Sequence, residues 1–345
     1  MKSSILNHLK NPVFQCLILI ALFTAVKGQE PAGLIDPKLV EIPQVKWVKQ
    51  WPSADNKQKA HGFRNRFNAI FLGKKMPALI RPVNVFAVDK ENFWVLDQEV
   101  MSIFGVKEGV GDIPHFLQKA QFDFSSLIGI CAGPSNSMFV TDSHAGKIYR
   151  VAPEKKTVQI VNDTLLLGQP TGIAWSAITG EIWVVETNAH RITVLNREGA
   201  IVKRIGSRGT APGEFNYPTH IHIDGAGLVY IVDAMNFRIQ VLKSTGGIVS
   251  VFGQQGDASG YFARPKGVAT DSHGNIYIVD ALFHTVQAFD LTGKYLISLG
   301  SQGQGEAEFW MPSGIYIDKD DFIYVADSYN SRVQVFQLVY SNKQH

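Results

Sequence analysis

The sequence has little cysteine and few charged residues, and only its first thirty residues contain a long apolar run. Two cysteines occur in 345 residues, Cys16 and Cys131. Cys16 lies in the N-terminal segment that we expect to be removed, so Cys131 would remain without an intrachain disulfide. Charged residues make up 18% and the formal net charge is +3, with no run of Lys or Arg. These absences exclude a disulfide scaffold and argue against a nucleic-acid partner.

The first 28 residues have the pattern of a secretory signal peptide. Lys2 and Lys10 supply the positive charge of the N-terminal region, and an apolar run follows at residues 13–23. Val26-x-Gly28 then has small residues at the positions that a signal peptidase requires. We expect cleavage after residue 28, which predicts a secreted, extracellular protein. The alternative is a membrane anchor, but this apolar run is shorter than the roughly 20 residues that a span needs. No second run of that length follows, so we expect no membrane span in the mature chain.

What the sequence has in abundance is a repeat. Residues 265–303 contain four short apolar runs, rich in β-branched and aromatic residues and separated by turn-forming residues, which indicates a four-stranded antiparallel unit. An acidic residue ends the second run in six successive units, 44 to 47 residues apart. Four of the acids are followed five positions later by Lys or Arg. The acids are Asp97, Asp142, Glu186, Asp233, Asp280 and Asp327.

Six units of four strands predict an all-β fold, a six-bladed β-propeller. We place it at residues 44–339, after the signal peptide at 1–28 and an extended lead-in at 29–43, and before a C-terminal tail at 340–345. The sixth unit ends after its third strand, whereas residues 45–51 resemble an unmatched fourth strand. We therefore expect an N-terminal strand to complete the last blade and close the ring.

The repeats resemble a known family. Units such as PSGIYIDKDDFIYVADSYNSRVQVF, at residues 312–336, resemble NHL repeats, and the resemblance covers roughly residues 44–339. It implies the propeller fold but leaves the function open, because such propellers serve as RNA binders, ligase subunits, extracellular binding modules and enzymes.

An enzymatic branch of that family offers a second interpretation. The chain resembles NHL-like peptidyl-hydroxyglycine amidating lyases in size, export and the stretches VDALFH (279–284) and SYNSR (328–332). The resemblance implies zinc held by three histidines, each directly after the proline that precedes an inner strand. Here the corresponding residues are Val83, Thr171, Thr219, Lys266 and Ser313, so the triad is absent. We expect no cofactor, with structural calcium or zinc as the alternative, and keep a metal-dependent lyase or hydrolase as the second function.

Three further sets of residues have a structural and a functional interpretation. The six acids fit calcium ligands, but we favour hydrogen bonds to the following turn and ion pairs with the basic residue. His220 and His222 share one face of an inner strand; they fit the start of a zinc site, but we favour packing against the neighbouring blade. Asn162-Asp-Thr164 is a sequon, so we expect a glycan at Asn162.

The remaining candidate is a surface. The loops after the second strands and the loops that precede the first strands are expected to open on one face, where large apolar residues and an arginine replace the usual small polar ones. This composition is typical of a binding hot spot. We favour a non-enzymatic binding or scaffold module for an extracellular protein or peptide, although the loops could instead bury one another. The predicted binding residues are Met235, Phe237, Tyr261, Arg264, Leu282, Phe283, Trp310 and Tyr329. Residues 53–81 do not repeat and form a candidate lid.

Overall fold

A computed structural model of the protein describes residues 42–52, 79–107 and 122–340, together with the backbone of residues 115–117. Within these residues, six four-stranded antiparallel sheets follow one another along the chain, so the predicted all-β six-bladed propeller is confirmed. The described part also has two short 3-10 turns, but no helix there is long and apolar enough to cross a bilayer. The predicted signal peptide (1–28) and residues 53–78 of the candidate lid lie outside the described residues, and both stay predictions.

The strands are short and lie at regular intervals. In chain order they are β1 (Gln44–Trp51), β2 (Pro82–Asp89), β3 (Asn92–Asp97), β4 (Ser102–Lys107), β5 (His115–Leu117), β6 (Leu127–Ala132), β7 (Met138–Asp142), β8 (Lys147–Ala152), β9 (Thr157–Ile160), β10 (Pro170–Ser176), β11 (Glu181–Glu186), β12 (Arg191–Leu195), β13 (Ile201–Ile205), β14 (Pro218–Ile223), β15 (Val229–Asp233), β16 (Arg238–Leu242), β17 (Ile248–Phe252), β18 (Pro265–Thr270), β19 (Ile276–Asp280), β20 (Thr285–Phe289), β21 (Tyr295–Leu299), β22 (Ser301–Gln302), β23 (Glu308–Phe309), β24 (Ile315–Ile317), β25 (Phe322–Asp327) and β26 (Arg332–Val339). The 3-10 turns are Ala234–Asn236 and Ser328–Asn330.

Five blades consist of four consecutive strands, from the central channel outward: β2–β5, β6–β9, β10–β13, β14–β17 and β18–β21 are blades I to V. Blade VI has the order β24-β25-β26-β1, which combines strands from the two ends of the described chain. A short parallel pair, β22 and β23, lies in the segment that precedes blade VI.

The core lies between the blades. The second strands β15 and β19 are buried at every position, because both of their faces pack against neighbouring sheets. Their sequences, VYIVD and IYIVD, are therefore continuous apolar runs rather than alternating ones. One buried cluster shows the arrangement, since it joins Tyr230 and Val241 of blade IV to Val268 and Ile278 of blade V. Each blade is thus stabilised mainly by the blades beside it.

The ring closes as predicted. Strand β1 pairs antiparallel with β26, with Gln44 opposite Val339 and Trp51 opposite Val333. The Trp47 indole also donates a 3.0 Å hydrogen bond to Oε1 of Gln334, a side chain that is fully buried in β26. Because β1 covers the outer edge of β26, blade VI has four strands, as the other blades do.

Two serines connect the last blade to the first at the channel. Ser313 Oγ donates to the Val83 carbonyl at 2.5 Å, and Ser328 Oγ donates to the Pro82 carbonyl at 2.6 Å. These bonds join positions about 230 to 250 residues apart in sequence. Closure therefore involves both the outer edge of blade VI and the inner end of blade I.

Deleting residues 44–51 should expose the hydrogen-bonding edge of β26 and part of the core that Trp47 and Trp51 cover. We expect aggregated protein, or a large loss of soluble yield, in size-exclusion chromatography. Deletion of residues 341–345 is the control and should leave the elution profile unchanged. Monomeric protein that unfolds cooperatively without residues 44–51 would contradict closure by β1.

Candidate functional site at the loop face

One side of the ring is built from two kinds of segment. The leading loop of a blade precedes its innermost strand, and the central turn joins its second and third strands. In every blade a backbone N–H of the central turn donates to a carbonyl of the leading loop, at 2.8–3.1 Å. The two segments therefore lie side by side, and we call the side they form the loop face. The six bonds are Gln98 to Arg81, Ser143 to Ser126, Thr187 to Gln169, Met235 to Asn216, Ala281 to Arg264 and Tyr329 to Trp310.

The repeated acids hold these segments together. All six carboxylates are buried, with side chains at most 1% exposed. Asp280 shows the pattern: it accepts N–H groups from Ala263 and Arg264 of the leading loop at 2.8–3.0 Å, and from Leu282 and Phe283 of the central turn at 3.1–3.2 Å. The predicted bonds to the following turn are present. The bonds to the leading loop, 16 or 17 residues earlier, are additional.

The predicted ion pairs form in three blades. The guanidinium Nε lies 2.7–2.8 Å from the carboxylate in the pairs Arg191–Glu186, Arg238–Asp233 and Arg332–Asp327. The prediction is wrong for Lys147 of blade II, whose ammonium instead donates to the Asp163 carbonyl at 2.7 Å. A lysine ammonium has no planar fork with which to bind a carboxylate and backbone carbonyls together.

Two of these arginines also fix the leading loops. The Arg238 guanidinium donates to three loop carbonyls at 2.5–3.0 Å, and that of Arg332 donates to three equivalent carbonyls at 2.8 Å. The acceptors are Thr210, Ala211 and Glu214 in blade IV, and Gln304, Gly305 and Glu308 in blade VI.

A set of three glutamines adds to this support and was missed by the sequence analysis. Gln240, Gln287 and Gln334 are buried at intervals of 47 residues, on the third strands of blades IV to VI. Each accepts a backbone N–H from its leading loop and donates to a carbonyl of the same loop, at 2.6–3.1 Å. The signal was present in the repeated motifs RIQVL, TVQAF and RVQVF.

Glu186 shows the electrostatic balance at these sites. Burial alone would raise the pKa of its carboxyl group. Hydrogen bonds from Arg191, the Gly168 N–H and the Thr193 hydroxyl, with the positive charge of Arg191, outweigh burial and hold the pKa below its ordinary value. The folded state therefore favours the ionised carboxylate.

The variant Glu186→Gln should lower the free energy of unfolding at pH 7 by roughly 2 kcal/mol, because it removes charge-assisted hydrogen bonds. The folded-state pKa lies below the unfolded-state value. The contribution of the carboxylate is thus present above about pH 4.5 and is lost as the pH falls through the folded-state pKa. Urea unfolding at several pH values measures this. Exposed Glu198, in the same blade, provides the control Glu198→Gln. A difference in the free energy of unfolding between wild type and Glu186→Gln that persists at low pH would contradict the stabilising role of the ionised carboxylate.

The predicted binding residues divide into two groups. Arg264 is exposed, and five apolar side chains on the loop face are 37–58% exposed. Two of these are in contact: the rings of Trp310 and Tyr329 are 6.1 Å apart, and the Tyr329 N–H donates to the Trp310 carbonyl. The five exposed side chains are Met235, Tyr261, Leu282, Trp310 and Tyr329.

Phe237 and Phe283 differ from the prediction, because both are half-buried. Phe237 packs against the cluster between blades IV and V. It occupies the last position of its central turn with a φ of 53°, in the left-handed region, where the turn directs the chain into β16. The sequence showed that Phe237 lies in the turn, but gave no indication that this position faces the core.

The sequence analysis missed three residues of this surface. Tyr217, directly before Pro218, is 40% exposed, and its ring lies 4.4 Å from that of His190. His190 accepts the Tyr217 N–H through Nδ1, and His284 accepts the Met311 N–H in the same way, both at 3.1 Å. These histidines end the central turns of blades III and V and hold the leading loop of the next blade. Both precede the third strand, as Phe237 does, which is the signal that could have identified them.

His220 and His222 lie in the channel wall on β14. His220 Nδ1 accepts the Val268 N–H of blade V at 3.3 Å, and His222 Nε2 lies 2.9 Å from the Thr270 hydroxyl. Their innermost strand approaches β10 closely: a Cβ added at Gly172 would lie 2.7 Å from the Cα atom of His220. Among the described residues, no three His, Cys, Asp or Glu side chains are grouped to hold a metal. The geometry supports the packing interpretation of the pair.

Burial lowers the pKa of both imidazoles to about 4, with a further contribution to His220 from His222. The unfolded chain, with a pKa near 6.5, binds more protons between pH 6.5 and 4. Stability should therefore fall as the pH is lowered through that interval. The double variant His220→Gln, His222→Gln should flatten this pH dependence in thermal unfolding. The exposed His144→Gln should retain the wild-type slope. Stoichiometric zinc that the double variant loses, measured by elemental analysis, would assign the pair to a metal site instead.

The expected glycan at Asn162 does not fit the folded chain. Asn162 is 2% exposed, and its amide nitrogen donates to the carbonyls of Gly146 and Leu165 at 2.7–2.9 Å. Its amide oxygen accepts the Ile148 N–H at 2.7 Å. A sugar on that nitrogen would break these bonds and open the loop, so we correct Asn162 to a structural residue.

The channel opens on the loop face in a cavity of about 320 Å³, which we call the channel mouth. Its wall includes the residues that follow the prolines of the innermost strands, among them Thr171, Thr219, Lys266 and Ser313. Deeper in the channel a cavity of about 150 Å³ contacts Cys131, and burial raises the pKa of that thiol far above its usual value. This shift disfavours the reactive thiolate.

The sequence comparisons agree with the architecture. Residues 309–336 match the NHL repeat, and residues 160–245 match a family described as a 6-bladed beta-propeller. The chain is thus a six-bladed β-propeller in which one unit, at residues 309–336, matches the NHL repeat. The search of curated proteins gave no match.

Solved structures share the fold at low sequence identity. One is virginiamycin B lyase from Staphylococcus aureus (TM-score 0.56, 16% identity, 75% of this chain and 95% of that chain). Another is an auxiliary nutrient binding protein from Bacteroides thetaiotaomicron (0.60, 14%, 76% and 70%). A third comes from a nidogen/laminin complex (0.53, 19%, 71% and 84%). At these identities the similarity shows the fold alone.

Proposed function

We propose that this propeller is a secreted, non-enzymatic binding module that holds an extracellular protein or peptide on its loop face. The observation that carries the proposal is the pair Trp310 and Tyr329, two exposed aromatic side chains in contact on a backbone with many hydrogen bonds. Met235, Tyr261 and Leu282 add apolar surface on the neighbouring loops.

The rigidity of the support favours binding over accidental exposure. The Trp310 N–H donates to buried Asp327 at 2.8 Å, and the Tyr329 N–H donates to the Trp310 carbonyl. Arg332 holds three carbonyls of the same leading loop. An aromatic side chain on a fixed backbone loses little conformational entropy when a partner covers it.

Burial against the described residues does not explain these side chains. Among described residues, Trp310 and Tyr329 contact each other but remain 43% and 58% exposed. Exposed aromatic residues do not support the blades and increase the tendency to aggregate. Two of the solved structures that share the fold, an auxiliary nutrient binding protein and a chain of a nidogen/laminin complex, are named for binding.

The test is a selection of peptides from a random phage-displayed library on immobilised wild-type protein. We expect selected peptides to bind Trp310→Ala and Tyr329→Ala at least about tenfold more weakly, since truncation of an aromatic anchor typically costs about 2 kcal/mol. Leu282→Ala should weaken binding in the same direction. The melting temperatures should stay within a degree or two of wild type, because these side chains are exposed.

The matched control is Ile178→Ala. Ile178 is 67% exposed on the turn between β10 and β11, on the opposite side of the ring. It should have no effect on peptide binding. Peptides that bind all loop-face variants as tightly as wild type would overturn the proposal.

A further inference from the structure

The channel mouth has an uneven distribution of charge. Three cationic side chains are in its wall: Arg81 before blade I, Arg264 before blade V, and Lys266 at the start of β18. No Asp or Glu is among the described residues of that wall. Elsewhere on the loop face the buried cations are paired, as Arg238 and Arg332 are with their carboxylates. Of the three cations in the channel mouth, Arg81 pairs with exposed Glu99, and the other two have no carboxylate partner among the described residues. The channel mouth is therefore a positively charged recess.

Lys266 is the most notable of these cations. It is half-buried directly after Pro265, and it makes no hydrogen bond or ion pair with any described residue. Burial and the charge of nearby Arg264 lower the pKa of its ammonium group. A buried charge is costly unless it is paired, and two neighbouring cations repel each other. Both costs would fall if an anion occupied the recess.

Unpaired hydrogen-bond donors lie in the same wall. Arg81 pairs through Nη2 with exposed Glu99 at 3.1 Å, but its Nε is buried and has no partner among the described residues. The Thr219 hydroxyl is likewise buried and unpaired. Buried donors without partners are rare in folded proteins, and each requires an explanation.

The repeat provides an internal comparison for Thr219. The equivalent hydroxyls in other blades are satisfied within the ring: Thr171 bonds to the Thr187 hydroxyl at 2.7 Å, and Ser313 donates to the Val83 carbonyl at 2.5 Å. Of these three hydroxyls, only that of Thr219 has no partner among the described residues. Thr219 lies in blade IV, next to blade V, which contributes Lys266. Thr219 and Lys266 lie at the same height in the channel, since each directly follows the proline of its innermost strand.

We propose that the channel mouth is an anion site that binds an oxyanion group, a carboxylate, phosphate or sulfate. Lys266 and Arg264 supply positive charge and N–H donors. Arg81 and Thr219 line the same recess, each with a buried polar atom that has no partner among the described residues. Charge-assisted hydrogen bonds of this kind are about twice as strong as neutral ones. Ala281, Met311 and Pro312 form an apolar part of the wall, and an electrostatic attraction is stronger beside apolar groups than in water.

The anion site specifies one chemical group of the ligand that the loop face would bind, and in that respect it rests on the proposed function. Arg264 and Tyr329 belong both to the loop face and to the channel mouth. A ligand that lies across Trp310 and Tyr329 with an anionic end would place that end in the recess. The pocket can nevertheless be tested without a partner, because a small anion is a sufficient probe.

Isothermal titration with sodium acetate, phosphate and sulfate, at an ionic strength held constant with sodium chloride, provides the test. We expect saturable binding of at least one anion by wild type, and at least tenfold weaker binding by Lys266→Gln. The matched control is Lys294→Gln. It removes the same charge from an exposed lysine of the same blade, in the turn between β20 and β21 on the opposite side, and should bind as wild type does. Lys266→Arg should retain binding.

The comparison among the three anions identifies the source of the ligand group. Tightest binding of acetate points to a carboxylate, and tightest binding of phosphate or sulfate points to a phosphorylated or sulfated ligand. No saturable binding by wild type, or equal weakening by Lys266→Gln and Lys294→Gln, would overturn the anion site. Anion binding that survives Trp310→Ala, combined with unchanged peptide binding by that variant, would leave the anion site standing and reject the aromatic surface.

Discussion

The structure depends on a buried carboxylate at the end of the second strand of every blade. A carboxylate without water is unfavourable unless donors surround it. Here the donors come from two segments that are distant in sequence, the central turn and the leading loop. Asp280 has four such N–H groups and no arginine, whereas Asp233 has an arginine as well. Both sets of donors join the central turn to the leading loop. The side chains of the loop face can therefore differ from blade to blade while these two segments stay side by side.

This constraint also explains how much could be read from the sequence. The spacing of the acids indicated the period of the repeat. Local patterns of apolar and turn residues indicated the strand order within each blade and the missing fourth strand of the last unit. The residues that hold the leading loops were harder to find. Gln240 and its two equivalents make bonds to residues 26 or 27 positions earlier. The repeated motif marks the position of these glutamines, but it does not indicate which residues they bind.

The candidate site shows the same division. Residues in central turns could be assigned to the loop face from their position alone, but their orientation could not. Phe237 and Met235 lie in the same turn; Met235 is exposed, whereas Phe237 packs on the core because a left-handed residue ends the turn. Thr219 and Lys266 were noticed in the sequence only as positions without histidine. Their significance depends on neighbours in other blades, which the fold alone brings together.

The way the ring closes also determines where the first and last strands of the propeller meet. Strand β26 starts at the loop face, directly after the central turn of blade VI, and ends on the opposite side at Val339, where it lies beside Gln44 of β1. Gln44 and Val339 therefore lie side by side, on the side of the ring opposite the loop face. A tether attached at either of these residues, to a bead or a surface, would present the aromatic loops and the channel mouth outward.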